Sequence, residues 1–99
     1  MSDNSENNVV YISGRLDFET VPLLDKNNRK LIARNKSVTF DLSGVTFSDN
    51  TGIALLVALT GFAKKLQKEI SFINLPDQLS DLLSAVRVEG ILPISKNKV

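Results

Sequence analysis

Short β-rich runs alternate with segments of helical period along this chain, and that alternation limits the fold more than any other feature. Val9, Val10, Tyr11 and Ile12 open a strand or a pair of short strands over 9–16, with Ser13-Gly14 as a bend. Leu23, Leu24, Leu31 and Ile32 then recur at helical spacing, with Thr20 as a cap and Pro22 in the first turn; Asn27-Asn28 weaken the middle. Ser37 to Leu42 alternates as a strand, and Ser43-Gly44 reads as a turn out of it, leaving Val45 and Phe47 as apolar outposts in a connection. A helix over 53–68 follows, apolar on every side from Ile53 to Leu59 and basic at Lys64, Lys65 and Lys68. Ile70 to Leu75 reads as a strand stopped by Pro76. Asp77 to Val86 reads as a helix capped by Asp77, with Leu79, Leu82, Leu83 and Val86 on one face. Ile91 to Ile94 reads as a last short strand, an edge by virtue of Pro93.

The order predicts a single α/β domain with a mixed, mostly parallel sheet of four to five strands and about three helices. The domain is expected over 9–94, between polar tails at 1–8 and 95–99. At 99 residues, with 42% apolar and 23% charged residues, the chain suits one folded domain and is too short for two.

Composition removes whole classes of chemistry. There is no Cys and no His. Disulfide frameworks, thiol nucleophiles, Ser-His-Asp catalysis and the common zinc ligand sets are therefore excluded. A net charge of +1 argues against a nucleic-acid partner. The polar N-terminus lacks the apolar core of a signal peptide, and the seven-residue run Ile53 to Leu59 is far below the ~20 residues a membrane span needs. No direct membrane insertion is expected. The glycines form neither phosphate-loop pattern, so no nucleotide cofactor is expected, and neither is a metal.

The segment from Asp41 to Leu56 holds the main candidate. It reads as strand, loop and helix, with Ser48, Asp49, Asn50, Thr51 and Gly52 at the helix start. A helix N-terminus has unpaired N–H groups and a partial positive charge, so a hydroxyl there is accessible and a phosphate on it is partly stabilised. Gly52 reads as leaving the backbone open to a partner. From residue type alone, capping accounts for Ser48, Asp49 and Asn50 most simply. The lysines at 64, 65 and 68 read as a solvated helix end complementing the dipole, three being too few for stable membrane binding. The carboxylates Asp17, Glu19, Asp25, Asp41, Asp49, Asp77 and Asp81 show no spacing that pairs two of them for acid–base work; a small carboxylate enzyme would need such a pair in a pocket with a raised pKa.

The run DLSGVTFSDNTGIALLV resembles the signature of STAS domains, the anti-sigma factor antagonist family. ISGRLDFETV resembles the family's first strand and its entry to the first helix, and FAKKLQKEISFINLPDQLSDLLSAVRVEGILPI is similar to its second half. The resemblance implies a non-enzymatic protein-interaction domain without catalytic residues. Two branches are implied. In the MlaB-like branch, similar through GIALLVALTGFAKK and ILPI, the partner is the cytoplasmic ATPase subunit of an Mla-type phospholipid ABC transporter. The chain would then be cytoplasmic, peripheral at the inner membrane through that complex, with docking expected at Ser48 to Gly52. In the sporulation-type branch, Thr51 matches a phospho-acceptor just before the glycine, Asp49 matches the preceding acid, and the partner is an anti-sigma factor kinase. MlaB-like sequences often carry Thr directly after the Asp; here Asn50 intervenes.

Overall fold

The computed structural model describes residues 8–95. Six elements follow in order: β1 (Asn8–Leu16), α1 (Val21–Arg34), β2 (Ser37–Ser48), α2 (Asn50–Lys65), β3 (Glu69–Ile73) and α3 (Asp77–Ala85). The strands form one all-parallel sheet in the order β1-β2-β3. The expected tails fall outside the described residues except at two points. Asn8 already pairs with Val38, and the Ser95 N–H donates to the Phe72 carbonyl.

Alternation along β2 turns Val38, Phe40 and Leu42 into the core, where they meet Ile12 and Leu16 of β1 and Phe72 of β3. The Phe40 and Phe72 rings stack with centroids 5.7 Å apart. Helices α1 and α2 pack against each other and close the core through Ile32 and the Leu55, Leu56, Leu59 and Ala63 face.

β2 continues through the Ser43-Gly44 step that reads as a turn in the sequence. Gly14 takes φ +86°, and the β1–β2 register shifts around it, so that Ser13 pairs with Gly44, Gly14 with Val45 and Leu16 with Ser48. A Cβ on Gly44 would stand 2.7 Å from the Ser13 Cβ. Glycine at 44 is what lets the ladder run on, and Val45 is consequently a core residue rather than a loop outpost.

Helix boundaries differ from the sequence reading for local reasons. Thr20 stands at the α1 N-cap without capping it; its hydroxyl donates to the Arg15 carbonyl at 2.7 Å, and Asp17 Oδ1 instead accepts the Glu19 and Thr20 N–H groups. Buried Asn28 is accommodated because its Nδ2 donates to the Leu24 carbonyl, whereas Leu23 is exposed. α2 stops at Lys65 because Gln67 turns left-handed (φ 60°) and the Lys68 N–H closes on the Ala63 carbonyl. Arg87 (φ 61°) ends α3 the same way, leaving Val86 outside the helix and exposed. Pro76 holds the α3 N-cap position, so Asp77 lies in the first turn and complements the dipole without capping.

The expected last strand is reduced to a single bridge. Ile94 pairs with Phe72, and the Phe72 N–H donates to the Pro93 carbonyl. Pro93 has no N–H with which to extend a ladder. The sheet thus has three strands and this one bridge among the described residues.

Candidate functional site

The candidate residues lie where β2 becomes α2, at the end of the sheet where parallel strands deliver their C-termini. Ligands and partners of open α/β sheets commonly meet the fold at such an end. Asp49 is the helix N-cap: its backbone is extended, and its Oδ1 accepts the Thr51 N–H at 2.8 Å. Its own N–H donates to the Leu16 carbonyl at 3.2 Å, which fastens the helix start to the end of β1. One residue therefore satisfies a helix orphan donor and joins two strand ends.

The five candidate positions separate into support and surface. Ser48 is 1% exposed; its hydroxyl donates to the Asp49 carbonyl at 3.0 Å. Gly52 is buried, and a methyl there would overlap the Ser48 hydroxyl and stand 2.8 Å from the Leu16 Cβ. The close approach that demands glycine at 52 is internal packing, not access for a partner. Asp49 and Thr51 are half-buried and Asn50 is exposed. Asn50 is thus the position of the five most open to an outside molecule, with Thr51 half-buried beside it.

Gln78 of α3 completes the support. Its side-chain amide accepts from the Ser48 N–H and donates to the Ser48 carbonyl. Nothing in the sequence signals this contact, since 30 residues separate the two positions.

The β1–α1 loop stands alongside. Arg15 lies over the Phe47 ring, 4.6 Å from its centroid, and its Nε donates to Asp17 Oδ2 at 3.0 Å. That hydrogen bond from Arg15, with backbone N–H groups from Glu19 and Thr20, holds the Asp17 carboxyl below its ordinary pKa despite some desolvation. Phe18 at the tip of the loop is 69% exposed. Along α2 the outward positions Ala54, Val57 and Gly61 remain exposed, so the apolar helix is covered on its inner side and bare on its outer one.

Acid–base geometry is a poor match for the carboxylates. Asp41 Oδ1 accepts the Ser43 N–H at 2.9 Å and Oδ2 accepts from Asn74 Nδ2 at 3.1 Å. The Ser43 backbone bond is the main cause of a lowered Asp41 pKa. A general acid needs the opposite shift. Among the described residues lining a cleft of about 490 Å³ between α3 and the segment after it, Glu89 is the one carboxylate, and it accepts from the Ser84 hydroxyl. Among the described residues, no group of three metal-ligating side chains comes together, and no helix is long and apolar enough to cross a membrane.

Comparison with known proteins agrees with this architecture. The family model described as the MlaB STAS domain matches residues 1–93. Among solved structures, an anti-sigma factor antagonist from Mycobacterium paratuberculosis superposes with a TM-score of 0.81 at 21% identity, covering 97% of this chain and 82% of that one. The Bacillus cell-fate determinant SpoIIAA, in its phosphorylated form, gives 0.71 at 12% identity over 99% and 88% of the two chains. The STAS domain of a SulP transporter from Vibrio cholerae gives 0.73 at 15% identity over 94% and 75%. No curated protein matches the sequence. The likenesses in structure establish the shared fold, and the family match over nearly the full length establishes membership: the chain belongs to the MlaB-type STAS domain family.

Proposed function

We propose that the chain is a non-enzymatic interaction subunit that binds and regulates the cytoplasmic ATPase of an Mla-type phospholipid ABC transporter, in intermembrane phospholipid transport and outer-membrane lipid asymmetry. The observation that carries the reading is the start of α2. Asn50 is exposed and Thr51 half-buried on a base locked by Asp49, Ser48, Gly52 and Gln78, and the bare strip Ala54, Val57 and Gly61 continues from them. Small residues allow a partner's backbone or side chains to approach the helix closely. A rigid base means that docking costs little ordering. Membership of the MlaB-type family supports the choice of partner.

The test is affinity purification of the tagged chain from solubilised membranes. Recovery of an ATPase with its permease supports the reading. Recovery of a soluble kinase alone sinks it. Thr51→Glu places a carboxylate in the contact and weakens ATPase binding by repulsion and desolvation; undiminished binding removes this docking site.

The second reading is a partner-switching regulator phosphorylated on Thr51 by an anti-sigma factor kinase. Its support is the half-exposed position of Thr51 in the first turn of α2, directly before Gly52. Incubation with candidate kinases and intact-mass measurement decides it: a mass gain of one phosphate on Thr51 is required.

A further inference from the structure

The opposite end of the molecule, which the proposed docking does not use, carries an unbalanced charge. α1 and α2 both finish where the strands begin, and the Glu69 N–H donates to the Lys36 carbonyl, so the two helix-to-strand connections lie side by side. Lys30 and Arg34 at the end of α1 and Lys36 in the first connection are joined by Lys64 and Lys65 at the end of α2 and Lys68 in the second. Five of the six are exposed and Lys68 is half-buried. Glu69 is the one carboxylate along these two stretches of chain. The remaining described residues carry four cations against eight carboxylates. Charge among the described residues is therefore unevenly distributed.

The fold does not account for the cluster. Complementing two helix dipoles needs only the last-turn residues Arg34, Lys64 and Lys65. The ion pairs among the described residues, Arg15–Asp17 and Arg29–Asp25, involve none of the six. Like charges gathered at one end repel, which lowers the stability of the folded state.

We propose that this basic end docks on an anionic phospholipid surface. Five of the six are lysines, flexible point charges suited to a diffuse layer of headgroups rather than to bidentate recognition of one phosphate. Leu66, 41% exposed, sits among them and can enter the headgroup region. A single-stranded nucleic acid is the poorer fit, because the exposed aromatic rings, Tyr11 and Phe18, lie outside this cluster and stacking platforms are absent from it. The lysines at 64, 65 and 68 alone suggest a solvated helix end; the tertiary structure adds three more basic residues beside them.

Each basic residue near such a surface raises partition about fivefold. The full chain is expected to co-sediment with vesicles of equimolar phosphatidylglycerol and phosphatidylcholine at low salt, to be released as ionic strength rises from about 0.05 to about 0.5 M, and not to bind phosphatidylcholine alone. Lys64→Gln/Lys65→Gln/Lys68→Gln lowers partition about a hundredfold. Lys30→Gln/Arg34→Gln/Lys36→Gln does the same through the other connection, so misfolding of one variant, read from its thermal melt, leaves the other decisive. Asp77→Asn/Asp81→Asn retains binding. Absence of binding to the anionic vesicles, equal binding to neutral ones, insensitivity of the well-folded variants, or tighter binding to a single-stranded oligonucleotide would each overturn the proposal.

Discussion

Gln78 serves Ser48 as a neighbouring strand would: its Oε1 accepts from the Ser48 N–H at 3.0 Å and its Nε2 donates to the Ser48 carbonyl at 2.9 Å. Ser48 is the last residue of β2 and β3 ends at Ile73, so beyond the β2–β3 ladder these backbone groups have no strand partner on that side. One amide from the first turn of α3 supplies both bonds and ties α3 to the start of α2.

Gln78→Ala should therefore cost about 1–3 kcal/mol in urea unfolding, because Ser48 is buried and its backbone groups lose their partners. Gln78→Glu should not restore the loss, since a carboxylate can accept from the Ser48 N–H but faces the Ser48 carbonyl without a proton to donate. Native-like stability of Gln78→Glu would show that the Nε2 bond contributes nothing.

Gly52→Ala should destabilise the chain by about 1–3 kcal/mol, although alanine is the better helix former. The new methyl overlaps the Ser48 hydroxyl and crowds Leu16. In a Ser48→Ala background the penalty should shrink, because the nearest clashing atom is gone. Strict additivity of the two changes in a double-mutant cycle would contradict this packing.

Asp49→Ala should cost about 1 kcal/mol by leaving the Thr51 N–H without its cap, and Asp49→Ser should recover most of that. Thermal melts of the two variants check it. Loss of ATPase binding in Asp49→Ala with binding intact in Asp49→Ser would assign the residue to positioning Thr51.

Stability should decline in acid partly through Asp41. Its folded-state pKa is lowered, first by the Ser43 backbone N–H and then by the Ser43 and Asn74 side chains. The unfolded carboxyl titrates near about 3.9. Below that value the unfolded state takes up a proton that the folded state still refuses. The contribution of Asp41 is thus fully present above the unfolded pKa and is lost as pH falls through the lowered folded one. Asp41→Asn should flatten the fall of unfolding free energy between about pH 5 and pH 2, with Asp17 carrying a remaining share for the same reason.

What the linear sequence determined is the layered α/β class, the order of the main elements, and the helix start that holds the candidate residues. Each depends on neighbours in the chain: period-two runs for strands, helical spacing for α1 to α3, and the small polar residues at 48–52. The same locality explains the boundary errors, since α2 and α3 end on left-handed Gln67 and Arg87 rather than on the glycine that would announce such an end. Only the tertiary structure decided the rest. Ser43-Gly44 became strand because β1 lies against it, and Gly52 became a packing requirement because Ser48 and Leu16 meet there. Gln78 reached Ser48 across 30 residues, and two separate groups of basic residues became one charged end. Those outcomes depend on which distant residues come together, and that is set by burial of the shared core rather than by any local pattern.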